Sequence, residues 1–99
     1  MVLRITAEER GAELSLKVEG RLRGRFVGEL RLLWDSIRDE AKQSPLRVDL
    51  AGVDYIDPLG KALLVEMHSS GVEIIAHNFF TQALCDEIVA EASGSRKKE

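Results

Sequence analysis

Leu14, Leu16 and Val18 alternate with Glu13, Ser15, Lys17 and Glu19. A period of two puts the apolar members on one side of an extended chain, the signature of a half-buried strand. The pattern predicts one strand over residues 12–19 and a preceding one over residues 2–6, joined by a turn near Arg10-Gly11. Leu46-Arg47-Val48-Asp49-Leu50 alternates in the same way and predicts a third strand, and residues 72–76 a fourth. Between them the period changes. Phe26, Leu30, Leu33, Ile37 and Ala41 recur at helical spacing, with Val27 and Trp34 widening the stripe, which predicts a helix over 24–43 closed by Ser44-Pro45. Arg31 and Asp35 fall four residues apart on its outer face and are expected to pair. Leu59, Ala62, Leu63 and Met67 predict a second helix over 58–70 with Gly71 as its stop, and Phe80, Ala83, Leu84 and Ile88 a third over 79–92.

The predicted order is β-β-α-β-α-β-α. Strands joined through helices lie parallel with right-handed crossovers, whereas the first two, joined by a tight turn, pair antiparallel. The expected fold is therefore α/β, a mixed, mostly parallel four-stranded sheet with three helices. No repeat or linker interrupts residues 1–92, read as a single domain, and residues 93–99 read as a flexible polar tail.

Composition narrows the function classes. The 99 residues suit one domain with its own core. Cys85 is the only cysteine, so no internal disulfide forms and a reducing, cytoplasmic setting is the simpler reading. Charge enters at Arg4, and the start of the chain reads as neither a signal peptide nor an anchor. No apolar run approaches the ~20 residues of a membrane helix. A net charge of −3 argues against a general nucleic-acid binder.

The most informative stretch is Leu50-Ala51-Gly52-Val53-Asp54-Tyr55-Ile56-Asp57-Pro58-Leu59-Gly60, which passes from a strand to a helix through a loop carrying Tyr55 and Ile56. Asp57 can cap the first helical N–H groups, and Pro58 has no N–H to leave unpaired. The carboxyl ends of parallel strands are where ligands and partners dock on open α/β sheets. Val48-Asp49-Leu50-Ala51-Gly52-Val53, then Ile56-Asp57, Gly60 and Ala62-Leu63-Leu64, resembles the central motif of the anti-sigma-factor-antagonist (STAS) family. Gly20-Arg21-Leu22, read as the turn before the first helix, and Gly71-Val72-Glu73-Ile74-Ile75 resemble other landmarks of it, so that the similarity spans residues 2–92. The resemblance implies a bacterial, non-enzymatic protein-binding module that regulates transcription. Its partner would be an anti-sigma kinase-like protein. In the family the residue after the aspartate is usually a serine or threonine that the partner phosphorylates. Here Pro58 stands there, followed by Leu59, and neither has a hydroxyl, so the resemblance implies a module without that switch. Lys61 is a second departure, since the family usually has an apolar residue after the glycine.

Arg21, Arg23, Arg25 and Arg31 gather around the start of the first helix, with Glu29 the only acid among them, although cations there oppose the helix dipole. Arg21, Arg23 and Arg25 with Lys61 are expected to form a basic rim beside Asp57, Pro58, Leu59 and Gly60, the candidate partner-binding surface. His77, Cys85 and Asp86 lack an accompanying nucleophile elbow or oxyanion motif, and no metal-ligand cluster, Walker loop or cofactor motif is present, so neither catalysis, metal nor cofactor is expected. Cys85 reads as a small core residue, His68 as solvent-facing and Trp34 as core. The alternative from another class is a transporter-accessory or small-ligand-sensing domain, with a transporter subunit as partner.

Overall fold

Residues 3–41 and 45–97 are described by a computed structural model. Val2, Ser44, the side chain of Ala41 and residues 98 and 99 lie outside the described set. β1 (Arg4–Arg10) and β2 (Glu13–Leu22) form an antiparallel hairpin turning at Gly11, whose φ of +59° suits a residue without a Cβ. α1 (Arg25–Ala41), β3 (Leu46–Ile56), α2 (Pro58–Ser69), β4 (Glu73–Ile75) and α3 (Phe79–Lys97) follow. The described strands form one sheet in the order β1-β2-β3-β4, with β2, β3 and β4 mutually parallel. An α/β fold with three helices and a mostly parallel sheet is thus what the described residues adopt.

The strands alternate because only one face of the sheet is covered. Leu16, Val18 and Leu22 of β2 and Leu46, Val48, Leu50 and Val53 of β3 are buried, while Lys17, Arg21, Arg47 and Asp54 between them are exposed. The helices pack on the apolar face, contributing Leu30 and Trp34 from α1, Leu63, Leu64 and Met67 from α2, and Leu84, Cys85 and Ile88 from α3. Trp34 and Cys85 are core residues, as read from the sequence.

Several expectations are corrected. β2 and β3 run further than expected, so Gly20-Arg21-Leu22 is strand rather than turn, and Tyr55 and Ile56 end a strand instead of occupying a loop. Arg21 pairs with Tyr55 and Leu22 with Ile56. Two register shifts along this ladder, between Lys17 and Glu19 and between Gly20 and Arg21, each insert an extra residue in β3 and break its period of two. β2 keeps its alternation through Leu16, Val18, Gly20 and Leu22, with a glycine at one of the buried positions. α3 extends to Lys97, past its expected end at residue 92 and into the stretch read as a tail. Among its described side chains Thr81, Leu84, Cys85, Ile88 and Ala92 are buried, and Phe80 and Ala83 lie outside. Arg31 does not pair with Asp35. It reaches Glu66 of α2 through two hydrogen bonds of 2.9 and 3.3 Å, and Asp35 lies 3.5 Å from Arg38. The bidentate contact holds the Glu66 carboxyl below the usual carboxylate range. His68 is half-buried, not solvent-facing.

α2 closes as its sequence predicts. Gly71, at φ +104°, lets its own N–H reach the His68 carbonyl and the Val72 N–H reach that of Met67, the paired bonds of a Schellman stop. No described helix is long and apolar enough to cross a membrane.

Candidate functional site

Because β2 and β3 are parallel and paired to their ends, Leu22 and Ile56 deliver the chain to the same edge of the sheet, and α1 and α2 begin side by side. β4 pairs only with Arg47, Val48 and Asp49, so its exit lies lower, where His77 Nε2 is 2.6 Å from Asp49 Oδ1.

Asp57 joins the two helix starts. Its N–H donates to the Leu22 carbonyl (3.1 Å), and its own carbonyl accepts from the Lys61 N–H (2.9 Å). Its side chain then splits between two helices: Oδ1 accepts from the Gly60 N–H in α2 and Oδ2 from the Gly24 N–H at the entry to α1, each at 2.8 Å. Both donors would otherwise be unpaired helix-end groups. The Gly24 N–H first, then those of Gly60 and Leu59 and the charge of Arg23, hold the carboxyl below its ordinary range. The sequence announced the α2 cap, but the bond to Gly24 spans 33 residues and has no local signature.

Two glycines make this closeness possible. Gly24 sits at φ +53°, where a side chain would strain the backbone. Gly60 is buried, and a Cβ there would stand 2.8 Å from the Leu22 carbonyl oxygen and 3.0 Å from Leu22 Cγ. α2 therefore seats directly on the end of β2.

The expected partner-binding residues divide accordingly. Pro58, Leu59, Arg21, Arg23 and Arg25 are exposed, whereas Gly60 is buried and both Asp57 oxygens are used internally. Lys61 does not join the arginines. Its ammonium lies 2.7 Å from Glu87 and 2.6 Å from Glu91 of α3, contacts with Glu87 and then Glu91 that raise its pKa. Asp57 is common to the clefts on either side. One, of about 470 Å³, lies between α2 and α3 and includes Ile56, Pro58, Lys61, Phe80 and Leu84. The other, of about 370 Å³, lies at the entry to α1 among Arg23, Arg25, Phe26 and Tyr55.

Sequence reading overlooked two residues of this surface. Tyr55 and Phe80 are 46% and 45% exposed, beside Leu59 at 64%. Tyr55 lines the cleft at the entry to α1, Phe80 the one between α2 and α3, and Leu59 is in the first turn of α2. Exposed large apolar groups beside clefts are candidate contact residues. An exposed Tyr at a strand end is the signal that was available for Tyr55; for Phe80 the helical period pointed to the core.

The polar groups at the start of α3 serve the fold. Thr81 is fully buried and its Oγ1 accepts from the N–H of His77 (2.8 Å) and of Asn78 (3.0 Å), while Asn78 Oδ1 accepts from the Thr81 N–H (2.9 Å). This reciprocal pair starts α3 in the manner of a capping box. Burial raises the Cys85 thiol pKa, which disfavours the thiolate.

No family model matches the chain, and no curated protein matches it. Among solved structures it is similar to one described as "Crystal Structure Analysis of Mglu", with a TM-score of 0.54 and 23% identity, covering 74% of this chain and 19% of that one. The likeness is one of fold, and this chain corresponds to a small part of that protein.

Proposed function

We propose that the chain is a non-enzymatic regulatory module of the anti-sigma-factor-antagonist type that docks on a protein partner through the helix start at residues 57–61. The observation that carries this reading is that Leu59, Tyr55 and Phe80 are exposed on the elements flanking a helix start that Asp57 ties to the entry of α1. Apolar groups on a fixed scaffold lose little entropy on binding, which is what an interface anchor requires. The resemblance of residues 48–64 to the family motif supports a kinase-like anti-sigma protein as the partner class and a cytoplasmic setting. Pro58 and Leu59 offer no hydroxyl, so docking here is independent of phosphorylation at residues 57–61.

The test is capture from a native lysate on immobilised protein, comparing wild type, Leu59→Glu and Arg47→Glu. Arg47 lies at the start of β3, away from the site. A buried leucine contributes about 1.5–3 kcal/mol, so Leu59→Glu should weaken capture roughly tenfold or more while Arg47→Glu does not. Equal recovery of the same protein by wild type and Leu59→Glu refutes the assignment.

A further inference from the structure

Arg31, Arg38, Arg47 and Lys61 each have a carboxylate partner within the chain. Arg21, Arg23 and Arg25 have no such ion pair among the described residues, and all three are exposed. They sit together. Arg23 and Tyr55 line both the cleft of about 370 Å³ already described and an adjoining one of about 340 Å³ that adds Arg21 and Asp54. The two clefts make one groove around Tyr55. The guanidinium carbon of Arg25 lies 5.9 Å from the Phe26 ring centroid, within cation–π range, and the exposed group keeps N–H donors that suit a carboxylate.

The acids nearby offset this groove's charge only in part. Asp57, kept ionised by backbone N–H groups and by the charge of Arg23, and Asp54 are the two carboxylates that line it, against the three arginines, so a positive excess remains. The first turn of α1 has no acidic residue, so the positive end of its dipole adds to the arginines' field. Cations at that position work against helix stability, and local conflicts of this kind are expected where a surface serves binding.

We propose that this groove receives an acidic segment of the protein partner, its carboxylates on Arg21, Arg23 and Arg25 and an aliphatic part on Tyr55. The inference rests on the docking reading above and names the partner's chemistry. Arginine favours planar carboxylates, and a chain of net charge −3 repels acidic peptides at long range, so any acidic ligand it holds is held locally.

Fluorescence anisotropy with a labelled peptide of glutamates flanking one leucine tests this, with the lysine counterpart and a labelled oligothymidylate alongside. Wild type should bind the glutamate probe in preference to both, and added salt should weaken that binding. The triple variant R21Q/R23Q/R25Q should bind it roughly tenfold more weakly, the product of three exposed charge contacts of about twofold each. Arg47→Gln should match wild type. The triple variant should also melt no lower than wild type, because R23Q and R25Q remove cations from the start of α1 and Arg21 is an exposed strand residue with no ion pair among the described residues, so lost binding is not lost folding. No binding of the glutamate probe, equal binding of the lysine probe, tighter binding of the oligothymidylate, or wild-type affinity in the triple variant each overturns the proposal. The two readings fail separately. If the glutamate probe does not bind while Leu59→Glu still loses the captured partner, only the acidic assignment falls. If the probe behaves as expected while Leu59→Glu captures normally, the groove stands and the helix-start anchor falls.

Discussion

Asp57 should be worth more to stability than an ordinary helix cap, and two substitutions separate its roles. Asp57→Ala removes the acceptors of both the Gly60 and Gly24 N–H groups. Loss of a helix cap costs about 1 kcal/mol, and the second bond, to an ionised but partly solvated acceptor, about as much again. The total of about 2 kcal/mol corresponds to a Tm lower by roughly 8–16 °C in a domain of this size. Asp57→Asn keeps an oxygen for the cap, where Asn serves about as well as Asp. Its amide nitrogen then faces the Gly24 N–H, donor against donor, so it should cost about 1 kcal/mol. Trp34, the only tryptophan and 1% exposed, gives a fluorescence signal for denaturant unfolding.

The acid limb carries a second check. The Asp57 carboxyl titrates lower when folded, because the N–H groups of Gly24 and then Gly60 favour its ionised form. As pH falls, the unfolded chain therefore takes up this proton first. The contribution is fully present above the unfolded value of about 3.9 and disappears as pH falls through the lower folded value. The gap between wild type and Asp57→Asn should be constant near neutrality and narrow below about pH 4. An Asp57→Asn protein as stable as wild type at pH 7 would refute the tie between the helix starts, and an Asp57→Ala cost under about 0.5 kcal/mol would refute the cap as well.

Gly60→Ala should destabilise by about 1–2 kcal/mol in the same assay although alanine is the better helix former, because its methyl meets the Leu22 backbone carbonyl at 2.8 Å; a gain in stability would show that α2 can lift from β2 without loss. Thr81→Val keeps the shape of a fully buried side chain but strips the acceptor from the N–H groups of His77 and Asn78, and should cost about 2–3 kcal/mol with the denaturant slope unchanged. An unchanged midpoint would mean that water serves those groups equally well.

The candidate site was legible where its logic is local. Asp57 before Pro58 reads as a helix start because cap and capped N–H lie within three residues, and Gly71 reads as a stop for the same reason. The arginines could be seen gathering near α1 because they are neighbours in sequence. What was misread depends on partners far along the chain. Lys61 counted as part of a basic rim until Glu87 and Glu91 were seen holding it from α3. Arg31 likewise passes over Asp35 for Glu66, 35 residues away.

By itself the sequence determined the α/β class, the three helices and the mostly parallel sheet, since the periods of apolar residues record which side of each element is buried. It also determined that residues 57–61 carry no hydroxyl. Tertiary structure alone decided how far β3 runs, because that continuation depends on hydrogen bonds to β2 across register shifts that the period cannot express. It decided as well that one carboxylate starts two helices and that Tyr55 and Phe80 flank them. A period tells a side chain which way to face; only the packed chain determines what it meets there.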